Sequence, residues 1–279
     1  MPKIISVFDT HAHLDLDDFD NDREAVIQRT LTGTFPGGLT PDELAGYTFE
    51  TAGVLLPGVD AASACRVIEL TEKTPKFYAA VAIHPNYTGK AAEDDWQTIT
   101  ELANRDNVVA IGETGLDRYW DTVPFDIQRD FFHRHIELSK RTGKPVVIHN
   151  RDAWDDVLPI LRTQKNLRGV IHAFSGTAQQ AAECVQLGYY ISFAGSLTYR
   201  NKKFAPLWEA AKVVPLDRLL VETDSPFMVP HPYRGKLQRN EPMMSAMVLL
   251  RLSQLRNEPL EVIAEATAAN TFGLIAGTP

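Results

Sequence analysis

The chain has little cysteine, only Cys65 and Cys184 in 279 residues. Far apart and in helix-like contexts, they build neither a CxxC redox pair nor a cysteine zinc site, and both read as ordinary buried thiols. No run approaches the roughly 18 consecutive apolar residues that a membrane span needs. The start, MPKIISVFDTHAHLD, meets Asp9 and His11 too early for a signal-peptide core, so a cytoplasmic protein with no membrane partner is expected. Basic residues are outnumbered: 28 Lys and Arg against 36 Asp and Glu leave a net charge of -8. That argues against coating nucleic acid with an extended basic face and predicts few phosphate contacts near any site. A phosphate substrate stays open, because bound divalent ions are often the largest local charges in a pocket. Repeats, low-complexity tracts and a dividing linker are also missing, so one domain over residues 1–279, as a monomer, is expected.

What is present is the composition of a globular chain, 44% hydrophobic and 23% charged, at a length that suits an α/β barrel of about 250 residues. Short apolar, β-rich runs recur at 4–8, 52–56, 77–83, 108–111, 145–148, 169–172, 189–193 and 218–221. Helical patterns separate them at 61–74, 93–104, 125–141, 153–163, 178–187 and 203–213, and two more follow at 242–255 and 260–272. Parallel neighbours need crossover connections, so this alternation predicts a parallel (β/α)8 TIM-like barrel; a doubly wound open sheet is the alternative. Thr177 reads as a helix N-cap, and Gly143 ahead of Pro145 as a helix stop. The Gly- and Pro-rich stretch at 31–49 breaks the rhythm. It reads as an inserted excursion after the first helix, expected on the face opposite the site.

Chemistry-bearing residues gather where strands stop. In the extended segment after the first strand, His11 and His13 share a face and can point to one ion. Glu113 follows VVAIG, His149 ends PVVIH, His172 ends GVIH, and Asp224 closes LLVETD. One such residue reads as a hydrogen-bonded core histidine or a helix-cap carboxylate. Six in equivalent places do not, because charged groups at the ends of apolar strands are costly to desolvate unless paired or bound to metal. Four imidazoles and two carboxylates without thiolate suit divalent Zn, Mn or Mg. Two ions are expected, with Glu113 as the natural bridge because a carboxylate has two oxygens.

These motifs, DTHAHLD at 9–15, AIHPN at 82–86, GETGLD at 112–117, VIHNRDA at 147–153, IHAFSG at 171–176, ISFAGSLTYR at 191–200 and LLVETDSP at 219–226, run through nearly the whole chain. Together they resemble the TatD family of metal-dependent deoxyribonucleases, within the amidohydrolase-like barrels. The resemblance implies one metal on His11, His13, Glu113 and Asp224, and a second on Glu113, His149 and His172. It also implies a metal-activated water attacking a phosphodiester, with Glu113 and Asp224 catalytic, Asp224 as the proton acceptor, and DNA ends or short single strands as substrate. Hydrolysis of an amide or ester at the same metal site is the alternative. His84 matches the family's G-x-HP histidine, which implies a phosphate or leaving-group contact.

The chain departs from the family pattern at Ala173, where Cys is common, and around Leu237 and Gln238, where the 230–242 loop carries extra residues. Arg151 and Arg234 could form forks on a phosphate, with structural salt bridges as the alternative. Glu222 shares a strand face with Asp224 and could orient a ligand histidine. His133 and His135, two apart on a helix, cannot share an ion and read as structural. Of the four tryptophans, Trp120 is the best placed to meet a substrate.

Overall fold

Eight parallel strands form one sheet in sequence order, as the alternation predicts. The computed structural model describes residues 2–38 and 40–276; Met1, Leu39 of the excursion and residues 277–279 lie outside them. The strands are β1 (Lys3–Asp9), β2 (Tyr47–Pro57), β3 (Phe77–Val81), β4 (Val108–Asp117), β5 (Val146–Arg151), β6 (Gly169–Ile171), β7 (Tyr190–Phe193) and β8 (Leu219–Val221). The helices are α1 (Arg23–Leu31), α2 (Ala61–Lys73), α3 (Glu93–Leu102), α4 (Phe125–Thr142), α5 (Trp154–Arg162), α6 (Ala178–Gln186), α7 (Ala205–Val213), α8 (Ser245–Arg256) and α9 (Leu260–Ala276).

Local signals fix the helix ends. The Asp60 carboxylate accepts the Ser63 N–H at 2.7 Å at the start of α2, and Thr177 and Gln180 cap α6 reciprocally. Helix α4 stops on Gly143, whose φ of 70° suits a residue without Cβ.

The nearly closed barrel has an apolar floor. Phe8, Leu55, Ala80, Ala110, Val147, Val170 and Leu220, from seven strands, cluster with Ala268 and Leu274 of α9. Phe272 meets the Phe8 ring edge-on at 5.3 Å, while the other faces of the strands pack on the surrounding helices. Phe8 is buried, so its truncation to Ala would cost roughly 3–5 kcal/mol.

Among the described residues no β8–β1 ladder completes the sheet. Instead, residues just past the strand ends close the seam: the Thr10 N–H donates to Val221 O at 3.1 Å, the Asp224 N–H to His11 O at 2.8 Å and the His13 N–H to Ser225 O at 2.8 Å. The same segments carry His11, His13 and Asp224.

The excursion enters β2 at the end paired with Lys3, away from the strand ends that bear the histidines. Its last residues belong to β2, which starts at Tyr47 because Tyr47–Thr51 alternates between outward and inward faces. Its 3-10 turn, Asp42–Leu44, nevertheless comes close enough to the loop after β8 for its acids, after burial, to raise the Tyr233 phenol pKa. Among the described residues no helix is long and apolar enough to cross a membrane. Cys184 is buried as expected, but Cys65 is exposed on α2, because its position lies on the solvent face of that helix.

Candidate metal centre

A cavity of about 800 Å³ opens over the C-terminal ends of the strands, with His13, His84, Glu113, His149, His172 and Asp224 in its lining. His11 Nε2 and His13 Nε2 stand 3.1 Å apart. Glu113 Oε2 lies 3.2 Å from the first and 3.5 Å from the second, and Asp224 Oδ1 lies 3.9 and 3.6 Å away. The left-handed backbone of Asp224, φ 56°, turns its carboxylate into this group and is a conformation Asp tolerates better than most residues. Below it, the Asp9 carboxylate accepts the N–H groups of His11 and Thr223, at 3.2 and 2.8 Å.

The other oxygen of Glu113 faces a second group. Oε1 lies 2.7 Å from His149 Nδ1, 2.7 Å from His172 Nε2 and 3.4 Å from His84 Nε2. Strand β4 reaches this point by running close to β5: a Cβ at Gly115, φ 146°, would sit 1.9 Å from His149 O, so only glycine fits there.

Tautomers decide what this cluster can hold. His13 Nδ1 donates to Pro57 O at 3.2 Å, His149 Nε2 to Asp117 Oδ2 at 3.0 Å and His172 Nδ1 to Glu222 Oε1 at 3.3 Å. In the neutral ring each therefore keeps a lone pair on the nitrogen facing Glu113 or Asp224. Lone pairs and carboxylate oxygens converging at these distances repel unless positive charge stands among them, which is the donor set of a divalent metal. Ligand atoms group as His11, His13 and Asp224; His11, Glu113 and His172; and His84, Glu113 and His149, each set within 4.8 Å.

Electrostatics calls for the same charge. Burial opposes ionisation of Glu113, yet His172, His84 and His11 hold it well below the usual carboxylate range. Burial likewise opposes charging His149 and His172, but Asp117 and Glu113 push the first up, and Glu113 and Glu222 the second. His11 is pushed down to about 4, by burial first and then by His172. Asp224 is pushed up to about 6 by burial, against the pull of His172 and His13.

Residues 8–276 match the family model described as TatD related DNase. The chain belongs to the TatD family. A Bacillus subtilis relative, the uncharacterized metal-dependent hydrolase YabD, is 38% identical over 95% of this chain and 96% of its own length. The uncharacterized metal-dependent hydrolase TatD of Mycobacterium tuberculosis is 37% identical over 94% of this chain and 95% of its own length. Among solved structures, the Escherichia coli TatD homologue YJJV superposes with a TM-score of 0.83 at 32% identity, covering 98% of each chain. This protein is a TatD-family metal-dependent hydrolase.

Around the centre, the TatD barrel brings some of the remaining sequence candidates together and separates others. Glu222 is buried against His172 and also accepts the Ala173 N–H at 2.6 Å. His84 borders the ligand cluster: its Nδ1 accepts the Asn86 N–H at 3.1 Å, which leaves Nε2, as the N–H donor of the neutral ring, toward Glu113. Arg151 borders the cavity, its guanidinium 3.9 Å above the Tyr119 ring and 5.9 Å from Trp120. Arg234 stands away from the lining, exposed, 4.4 Å over the Tyr199 ring. Neither arginine forms a salt bridge among the described residues.

His135 is structural, its Nε2 accepting the Ile83 N–H at 3.0 Å and its Nδ1 donating to Phe131 O at 2.7 Å; His133 is exposed. The sequence reading passed over Asp117, which lay inside the GETGLD motif without a role. Lys203, Phe227 and Met228 also line the cavity and carried no signal beyond their loops.

Proposed function

We propose that this hydrolase is a deoxyribonuclease that cleaves phosphodiester bonds at DNA ends or in short single strands. The observation that carries this reading is the pair of cations at the cavity, Arg151 and Lys203, neither with a carboxylate partner among the described residues. A phosphate uses them; a neutral amide or ester does not. The family description, TatD related DNase, points the same way.

In this reading His11, His13, Glu113 and Asp224 would hold one divalent ion, and Glu113, His149 and His172 the other, with Zn, Mn or Mg as candidates. Such ions supply Lewis acidity at the phosphoryl oxygens and lower the pKa of attacking water. Asp224, at the cavity beside His11 and His13, would accept that water's proton. Arg151 and Lys203 take the charge of the nonbridging oxygens. His84 stands on the far side of Glu113 from Asp224, where a leaving oxygen can be met.

The deciding experiment incubates metal-loaded protein with single-stranded and duplex oligonucleotides, and in parallel with uncharged amide and ester substrates. Cleavage of the oligonucleotides with Zn, Mn or Mg is expected. Intact oligonucleotides beside turnover of the neutral substrates would replace the nuclease reading with the amidohydrolase one.

A further inference from the structure

Two loops rise side by side from β7 and β8. Thr198 Oγ1 accepts the His231 N–H at 2.7 Å, Arg234 lies over Tyr199, and Gly195 passes so near Met228 O that a Cβ would sit 1.8 Å from it. In a chain of net charge -8, neither residues 194–208 nor residues 225–240 contain a single Asp or Glu.

These loops bring Arg200, Lys202, Lys203, Arg234 and Lys236 to one rim, all exposed. None of the five is ion-paired among the described residues, whereas Arg239 in the same loop pairs with Asp22 and Glu241. Asp42 and Glu43 border the rim at Tyr233 without an ion pair to any of the five. Crowding of positive charge is felt locally: after burial, Arg200 and Lys236 push the His231 pKa down.

The rim is continuous with the cavity, because Lys203 lines it next to Phe204, and Phe227 stands 52% exposed in the same lining. Across the cavity, Trp120 of the lining is 50% exposed; Tyr119, edge-on to it and 55% exposed, carries Arg151 over its ring. Cations that are left unpaired, interleaved with exposed aromatic rings, form the pattern that tracks a single-stranded backbone while bases stack.

We propose that the β7 and β8 loops form a track for single-stranded DNA: Arg200, Lys202 and Lys236 hold phosphates beyond the scissile one, while Trp120 and Tyr119 stack the nucleotide across the centre. This inference rests on the deoxyribonuclease reading and adds the strand's path to it. An acidic polypeptide would use the cations but leave the rings idle. Cations are outnumbered in the chain as a whole but gather on this one rim.

The test compares wild type with the triple variant Arg200→Gln, Lys202→Gln, Lys236→Gln in the metal-loaded enzyme. The probes are a 12-nucleotide single-stranded DNA and the p-nitrophenyl ester of thymidine 5′-monophosphate, assayed over a range of NaCl concentrations. On the 12-mer, KM is expected to rise about tenfold or more with kcat kept, and the slope of log affinity against log salt to fall by about 2, since single strands release about 0.7 counterion per contact. On the small ester, kcat/KM should stay within about twofold. Unchanged 12-mer KM and salt slope in the variant would overturn the track. If neither probe is cleaved, the nuclease reading fails separately, and fluorescence anisotropy with labelled 12-mer still decides the track. Salt-dependent binding by wild type that the variant loses supports it, and no binding by either protein overturns it.

Discussion

Asp117 accepts a hydrogen bond from His149 Nε2 at 3.0 Å through one carboxylate oxygen. Through the other it accepts the N–H groups of Tyr119 and Trp120 at 2.8 and 3.0 Å. One side chain thus sets the tautomer of a metal-facing histidine and the turn that presents the exposed Trp120 ring to the cavity, with Tyr119 beside it. Burial opposes its charge, but the His149 and Trp120 bonds hold its pKa well below the usual range.

Asp117→Asn is therefore expected to weaken metal affinity about 10- to 100-fold, the usual effect of losing the carboxylate partner of a ligand histidine. Metal titration of the apo variant measures it. Wild-type affinity would show that His149 needs no such support.

Glu113→Gln keeps the size of the side chain and removes the charge whose two oxygens face separate groups. Turnover should vanish and bound metal fall below the wild-type content while the circular dichroism spectrum is preserved. Near-normal activity in the folded variant would place the bridge elsewhere.

Arg151→Ala should lower kcat/KM on oligonucleotides about tenfold or more, corresponding to one charge-assisted contact of roughly 1.5 to 3 kcal/mol. A neutral ester serves as control and should be spared. Equal losses on both substrates would mean that the arginine acts by packing on Tyr119 rather than on phosphate.

His135 offers a pH prediction away from the ligands themselves. Its folded-state pKa is pushed down to about 4 from the ordinary 6.5, by burial first. Between those values the unfolded chain binds a proton that the folded chain refuses, so stability rises with pH across this window. The contribution of the neutral ring is complete above about 6.5 and is lost as pH falls toward 4, at most roughly 3 kcal/mol. Gln at this position can accept the Ile83 N–H without titrating. Urea midpoints of His135→Gln should fall less steeply than wild type between pH 6.5 and 4, and parallel curves would remove His135 from the account.

The residues facing the cavity were legible because each metal-competent side chain sits at the end of an apolar strand, a position a single sequence displays. Asp117 was not, since β4 runs six residues past the point where its apolar pattern stops at Ile111. Beyond Ile111, the polar GETGLD reads as a loop, although the close approach to β5 keeps it extended. The start of β2 was missed for a related reason: Tyr47–Thr51 pairs with β1 but follows a Gly- and Pro-rich stretch. The rim escaped notice because its cations come from loops some thirty residues apart, and only pairing such as Thr198 with His231 brings them together.

The seam gives the barrel a clasp rather than an eighth ladder. Its closing bonds belong to Thr10, His13 and Asp224, so the backbone that shuts the wall also aims the ligands. Occupancy of the centre and the lifetime of the closed wall are then one equilibrium. When the ions are withdrawn, the amides of these three residues should exchange with deuterium sooner, while amides in the β4–β5 ladder keep their protection. A preparation's metal content could thus be read from three backbone protons, without any substrate at all.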